Sequence, residues 1–315
     1  MKDQKSGPVS DLRMAVVGVG SLGRHHARIL SDMDGVQLVG VVDKDGARAS
    51  EIAQKYGTNP FSDTSELPGV DGVVISAPTT LHRELAEMFL RKGTGVLCEK
   101  PMAASLEECD AILAARDAGG APLLVGHVEH FNPGVERLAA WVSRPGFIEV
   151  HRLGVFTGRS LDVDVILDLM IHDIEIVQSL VKRPVEKVEA VGVSVLTSFV
   201  DIANARLAFE GGCVANLTAS RISREKVRKL RVFQPASYLA VDYAEQAVDH
   251  YRVEDTAEGR NILKVDTPVE KKEPLRAELE HFTAVLRGET EPTVGGEAAR
   301  EAVRTARMIL EKVSR

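Results

Sequence analysis

Three glycines near the N-terminus, Gly18, Gly20 and Gly23, constrain the fold of this chain more than any other feature. They follow an apolar run that predicts a buried parallel strand, and the next segment, Ser21 to Met33, has the pattern of a helix. In such a unit the first glycine permits a tight turn, the second lets the backbone approach a pyrophosphate, and the third lets helix and strand pack closely. The pattern therefore predicts a dinucleotide site at the start of this helix.

The predicted turn also contains Ser21 and Leu22, at a helix start whose N–H groups and dipole favour an anion. A second apolar run, Val36 to Val42, ends at Asp43, twenty residues after Gly23. A carboxylate there accepts hydrogen bonds from the adenosine ribose and repels a 2′-phosphate, which predicts NAD rather than NADP. The alternative is a glycine turn in an α/β protein that binds no ligand.

The order of predicted strands and helices differs between two parts of the sequence, which predicts an α/β protein of two domains. Residues 1–126 alternate apolar runs with helical patterns, which predicts an N-terminal Rossmann domain with a doubly wound parallel sheet, after a flexible tail over residues 1–11. Residues 127–315 are predicted to form a C-terminal α+β domain for substrate binding and oligomerisation. In this part strand-like runs, among them Val185 to Phe199 and Ile202 to Phe209, follow one another around a helical segment, Asp164 to Val181, which predicts an antiparallel or mixed sheet with one solvated face. A further helix is predicted from Pro274 to Leu286.

Charge and cysteine content limit the partners. The formal charge is −7 with acids and bases interspersed, which argues against nucleic acid or an anionic membrane as the main partner. No apolar run approaches the ~18 residues of a membrane span, and the N-terminal segment has no apolar signal region. The three cysteines are sparse and have no metal-ligand spacing, so we expect a reducing, cytoplasmic location and no metal.

Two short motifs follow the ends of predicted strands, where ligands bind in open α/β sheets. Lys100, in Glu99-Lys100-Pro101, can donate to a substrate hydroxyl or carbonyl and stabilise negative charge on that oxygen; the alternative is a surface lysine before a helix. Ala77-Pro78 forms a turn that can line the cofactor. His82, at the helix start that follows, is either catalytic or a histidine that only begins the helix.

One acid and one histidine share a predicted helix face. Asp168 and His172 are four residues apart, so both point the same way in an α-helix. His172 is a candidate general base, because the ordinary pKa of histidine lies near the working pH, and Asp168 can orient it or contact substrate. The alternative is a helix that merely pairs an acid with a histidine. His127, Glu129 and His130 lack the helical spacing of metal ligands.

Together these motifs resemble the Gfo/Idh/MocA family, the glucose-fructose oxidoreductase and inositol dehydrogenase group. The resemblance covers about residues 12–313 and implies a Rossmann domain followed by a domain with a large, open, mostly antiparallel sheet. It implies that Lys100, Asp168 and His172 are catalytic. The implied cofactor contacts are Gly18, Gly20, Ser21, Leu22, Gly23, Asp43, Ala77, Pro78, His82, Glu99 and Lys100.

Two stretches, Gly126–Pro133 and Phe156–Asp173, are similar to nucleotide-sugar 3-dehydrogenases of the UDP-N-acetylglucosamine type. The similarity implies NAD-dependent oxidation of a sugar hydroxyl, at C3 of UDP-N-acetylglucosamine or a related nucleotide sugar. Arg159, in a Gly-Arg-Ser run, is a candidate to hold the diphosphate; the alternative is an ordinary loop arginine. Many relatives carry arginine where this chain has His130. The expected substrate contacts are Lys100, Asn132, Arg159, Asp168 and His172.

Two alternatives to this function remain open from the sequence. One is a dehydrogenase of a free polyol or sugar such as inositol, which needs no phosphate anchor. The other is a non-catalytic dinucleotide-binding regulatory protein.

The predicted second domain has many strands and few helices to cover them. We therefore expect a homo-oligomer, dimer or tetramer, joined through an uncovered apolar sheet face.

Overall fold

The structure, a computed structural model, describes residues 11–156, 163–257 and 259–313. Two compact units are present: Met1–Gly126 with Leu275–Glu297, and His127–Pro274 with Ala298–Arg315. Residues 1–10, most of the expected flexible tail, lie outside the described part of the chain. The segment Leu275–Glu297 corrects our division of the sequence, which placed everything after residue 126 in the second domain.

The first unit contains a six-stranded parallel sheet in the order β3-β2-β1-β4-β5-β6, which confirms the predicted Rossmann domain. The order reverses between β1 and β4, at the switch point where such sheets bind ligands beyond their carboxyl ends. The strands are β1 (Leu12–Val17), β2 (Val36–Val42), β3 (Pro60–Phe61), β4 (Gly72–Ile75), β5 (Gly95–Glu99) and β6 (Leu123–Gly126). The helices are α1 (Gly23–Leu30), α2 (Gly46–Tyr56), α3 (His82–Leu90) and α4 (Leu106–Gly119).

A helix from the C-terminal part of the chain completes the core of this unit. It is α7 (Pro274–Leu286), and its Leu279 and Phe282 are fully buried in one cluster with Met14 and Leu30. An amphipathic pattern shows that a helix has a buried face but not which sheet receives it. The sequence therefore predicted the bounds of α7 but not its unit.

The second unit contains an eight-stranded sheet in the order β14-β13-β12-β11-β7-β10-β9-β8. Neighbouring strands are antiparallel except β7 and β10, which confirms a mostly antiparallel sheet. The strands are β7 (Phe147–Leu153), β8 (Val185–Val193), β9 (Ile202–Phe209), β10 (Val214–Ser220), β11 (Val227–Gln234), β12 (Ser237–Asp242), β13 (Ala247–Thr256) and β14 (Gly259–Val265). The helices are α5 (Pro133–Ala139), α6 (Ile171–Val181) and α8 (Gly296–Val313).

Three local expectations for this unit were wrong. The run Val185–Phe199 was predicted as one strand, but β8 ends at Val193, and the following backbone turns because Asp201 accepts three of its N–H groups. The strand β14 was missed because most of its side chains are exposed. The predicted helix Asp164–Val181 begins instead with a π-helical turn, Ile166–Met170. None of the described helices has the length and hydropathy to cross a bilayer.

Candidate active site

The glycine turn after β1 has the geometry of an anion cradle. Gly18 has a φ of +84°, and a Cβ there would lie 2.7 Å from the backbone nitrogen of Ala77. A Cβ on Gly23 would lie 1.8 Å from the carbonyl oxygen of Gly18, so close packing requires both glycines. A Cβ on Gly20 would meet nothing within 4 Å. The side of the turn at Gly20 is therefore open to a ligand, and Leu22, the N-cap of α1, provides no side-chain cap. This arrangement fits a pyrophosphate.

Asp43 ties the end of β2 to this turn. Its carboxylate accepts the N–H of Val19 at 3.0 Å and the N–H of Asp45 at 2.9 Å. Arg48, half-exposed on α2, donates from Nη1 to the same carboxylate at 3.3 Å. These contacts fix the carboxylate where a ribose is expected, and they place a cation beside it.

His82 joins the turns that follow β4 and β5. Its ring is buried, with Nε2 2.9 Å from the carbonyl oxygen of Ala77 and Nδ1 3.0 Å from that of Pro101. The Lys100–Pro101 peptide bond is cis. Because both ring nitrogens of His82 face backbone carbonyls, this side chain supports the two turns and has no exposed face for a cofactor. The contact of His82 with the cofactor stays a prediction.

Glu99 also directs its side chain inward. Its Oε1 lies 2.7 Å from Nε2 of His26 on α1, and its Oε2 accepts the backbone N–H of Lys100 at 3.3 Å. Only the backbone of Glu99 is left for the cofactor contact expected from the sequence. The side chain of Lys100 itself is partly exposed at the carboxyl end of β5.

Asp168 and His172 belong to the second unit, on either side of a change in helix type. Asp168 lies in the π-helical turn, in which the N–H of Ile171 donates to the carbonyl oxygen of Ile166, and His172 lies in the first turn of α6. Both side chains are half-buried. Single π turns inside helices are frequent at functional sites because the extra residue shifts the side chains around it. The sequence suggested one continuous α-helix and gave no signal for this turn.

A buried arginine that we did not single out from the sequence holds the segment around His172. Arg152 donates from Nε and Nη2 to both oxygens of Asp173, at 2.6 and 2.8 Å, and from Nη1 to Glu129 at 2.9 Å. Burial alone would lower the pKa of Arg152, but the charge and hydrogen bonds of Asp173, together with the charge of Glu129, raise it well above its ordinary value. The hydroxyl of Tyr243 donates to Asp173 at 3.4 Å. A signal existed, because Arg152 occupies an inward position of the alternating strand β7.

Two histidines next to β6 have distinct environments. The buried ring of His127 packs edge-on against His172, with centroids 6.0 Å apart. Nδ1 of His130 lies 3.1 Å from the carboxylate of Glu175 on α6. Burial alone would lower the pKa of His130, but the hydrogen bond and the charge of Glu175 raise it above its ordinary value. His130 therefore forms an ion pair with Glu175 when its ring is protonated.

Two of the expected substrate contacts, Asn132 and Arg159, differ in what the structure describes of them. Asn132 is buried and caps α5: its Oδ1 accepts the N–H of Gly134, and its Nδ2 donates to the carbonyl oxygen of Tyr243, both at 3.0 Å. Its side chain is thus committed to the fold. Arg159 lies outside the described residues.

Comparisons with known proteins cover both units. The model of an oxidoreductase family with an NAD-binding Rossmann fold matches residues 12–127, and the model of the GFO/IDH/MocA C-terminal domain matches residues 140–234. UDP-N-acetylglucosamine 3-dehydrogenase from Acidithiobacillus ferrooxidans is 34% identical over 299 residues, which are 94% of this chain and 95% of that protein.

The solved structure of that dehydrogenase has a TM-score of 0.89 to this chain, covering 96% of this chain and 98% of the other. A scyllo-inositol 2-dehydrogenase (NAD(+)) from Bacillus subtilis is 27% identical over 238 residues, 67% of this chain and 68% of that protein. Similarity therefore extends over nearly the full length to a nucleotide-sugar enzyme and over about two thirds to a polyol enzyme.

Proposed function

The chain belongs to the Gfo/Idh/MocA family of NAD-binding oxidoreductases, and on that premise we propose that it oxidises the C3 hydroxyl of UDP-N-acetylglucosamine, or of a closely related nucleotide sugar, to a ketone. The observation that carries the proposal is the 34% identity to UDP-N-acetylglucosamine 3-dehydrogenase over 94% of this chain. The regulatory alternative is set aside because the relatives are dehydrogenases.

NAD, when bound, supplies the acceptor for the hydride that leaves C3 of the sugar. The residues of the chain do the remaining work in this proposal. Gly18, Gly20 and Gly23 with the N-terminus of α1 hold the pyrophosphate, and Asp43 holds the adenosine ribose.

The proton chemistry is assigned to two side chains. His172 accepts the proton of the C3 hydroxyl, since a neutral imidazole is a competent base near neutral pH. The ammonium group of Lys100 stabilises the negative charge that develops on the same oxygen. Asp168 contacts the substrate or orients His172. The hydroxyl hydrogen thus leaves as a proton, the carbon-bound hydrogen leaves as a hydride, and a carbonyl forms.

One experiment separates this function from the inositol alternative. The purified protein with NAD is given UDP-N-acetylglucosamine, N-acetylglucosamine and myo-inositol in parallel, and NADH is followed by its absorbance. We expect turnover with the UDP sugar, and a fall in kcat of about 10²–10⁴ in Lys100→Ala and His172→Ala. NAD affinity should be unchanged in His172→Ala, and Lys92→Ala, at an exposed lysine, serves as the control. Activity on the free sugars alone would overturn the proposal.

A further inference from the structure

Three buried ionisable side chains meet inside the first unit. They are His26 on α1, Glu99 at the end of β5 and Glu278 on α7, and one nitrogen or oxygen atom of each lies within 4.8 Å of the others. All three are buried, His26 and Glu278 completely. Gly126 makes room for the cluster, because a Cβ there would lie 3.0 Å from the carboxylate of Glu99. The fold thus holds a cluster of three ionisable side chains inside an apolar core.

Glu99 and Glu278 have very different surroundings. The carboxylate of Glu99 is satisfied by His26 and by the backbone N–H of Lys100, at 2.7 and 3.3 Å. Neither carboxyl oxygen of Glu278 has a hydrogen-bond partner among the described residues. Burial first, and then the negative charge of Glu99, raise the pKa of Glu278 well above its ordinary value. Both effects favour the protonated, uncharged form of the Glu278 carboxyl group.

The geometry of this cluster suits a hydrogen bond between His26 and Glu99 better than a bound metal ion. Nε2 of His26 and Oε1 of Glu99 are 2.7 Å apart, the distance of a short hydrogen bond. Ligand atoms held tetrahedrally at about 2.0–2.2 Å from a metal lie about 3.3 Å from each other. A metal would therefore have to separate this pair and break the bond that anchors Glu99.

We propose that Glu278 is a positioning residue that acts through Glu99: as a neutral acid it leaves the charge of Glu99 committed to His26 and to the backbone of Lys100, and so holds the Lys100 turn. This inference rests on the proposed catalytic role of Lys100. Within the described part of the chain, the ionisable groups that face Glu278 are Glu99 from β5 and His26 from α1, whereas Glu280 on its own helix is exposed. Loss of the proton from Glu278 would set a second negative charge against Glu99 and loosen the anchor of Lys100.

The test compares wild type with Glu278→Gln, an isosteric side chain that cannot ionise, and with Glu280→Gln as the exposed control. Because the folded-state pKa of Glu278 lies above its unfolded value, wild type loses stability as pH rises from about 4.5 toward the folded pKa. We expect the melting temperature of Glu278→Gln to gain on wild type steadily between pH 5 and 9, and Glu280→Gln to follow wild type. A difference that does not vary with pH would overturn the proposal.

The positioning role has its own readout. On any substrate that wild type oxidises, the fall of kcat at alkaline pH should move upward by about one pH unit or more in Glu278→Gln, with kcat at pH 7 within threefold of wild type. The positioning role would be overturned if kcat of wild type and of Glu278→Gln fell at the same alkaline pH. It would also be overturned if purified wild type contained one equivalent of bound metal. The melting series needs no substrate, so a failure of the proposed function is recognised separately.

Discussion

Arg152 and Asp173 form a two-pronged ion pair inside the second unit, with Nε and Nη2 of the arginine 2.6 and 2.8 Å from the two carboxylate oxygens. Asp173 directly follows His172, and the third arm of Arg152 reaches Glu129, two residues after His127. One guanidinium thus fixes the two segments that bring the rings of His127 and His172 into contact.

Replacing Arg152 should therefore damage both stability and catalysis. Arg152→Met leaves Asp173 and Glu129 without their shared buried cation, which costs about 3–5 kcal/mol of unfolding free energy. Chemical denaturation measures that loss. Arg231→Met removes an arginine of the half-exposed pair with Glu149 and should cost about 1 kcal/mol or less. Equal losses of unfolding free energy in the two variants would show that the buried ion pairs of Arg152 stabilise the protein no more than a half-exposed pair does.

Asp43 should determine the choice between NAD and NADP. Asp43→Ala removes the carboxylate that repels a 2′-phosphate and releases Arg48, which now donates to it at 3.3 Å. We expect the ratio of the dissociation constants for NADP and NAD to fall at least tenfold, as measured by titration of each cofactor. Adding Arg48→Ala to that variant should abolish the gain in NADP affinity. Wild-type protein that binds NADP more tightly than NAD would contradict this account of Asp43.

His130 should make stability depend on pH where an arginine would not. Its folded pKa is raised above 6.5 by Glu175, so the pair stabilises the protein fully below pH 6.5 and less as pH rises through the folded pKa. His130→Arg keeps the positive charge at all these pH values. We therefore expect its melting temperature to rise relative to wild type between pH 6 and 9. At pH 9 the free energies of unfolding should differ by about 1–2 kcal/mol. The gain should vanish when Glu175→Gln is added. A constant difference would refute the pairing.

The outer face of the second sheet should join copies of this chain. Four aromatic rings cross it in register, Phe147, Phe233, Tyr238 and Tyr251, with centroids 5.1–6.1 Å apart between neighbours. The sequence predicts an apolar face, but β9 and β10 also carry polar side-chain pairs such as Asn204 with Thr218.

Light scattering at micromolar concentration should give at least twice the chain mass of 34.1 kDa. Phe233→Asp should shift the protein toward monomer, because it places a charge within the row of rings. Glu51 is exposed on α2 of the first unit, so Glu51→Arg should leave the mass of the assembly unchanged. A wild-type monomer would contradict the assembly.

Local sequence patterns predicted much of this fold, because the spacing of apolar residues over a short stretch distinguishes strands from helices. The bounds of β2, β9 and α7 agree with the structure residue for residue. The unit that receives α7, the π turn at Asp168 and the clamp of Arg152 depend on contacts distant in sequence. Asn132 shows the converse, since a residue in a functional-looking motif turned out to cap a helix.

The most direct test of the central claim follows one hydrogen atom. UDP-N-acetylglucosamine carrying deuterium at C3 is incubated with the protein and NAD, and the reduced cofactor is analysed by mass spectrometry. The account predicts that the reduced cofactor gains the deuterium and that the substrate is converted to its 3-keto form. Reduced cofactor without deuterium would mean that a different carbon is oxidised, and no reduction at all would mean that this nucleotide sugar is not the substrate.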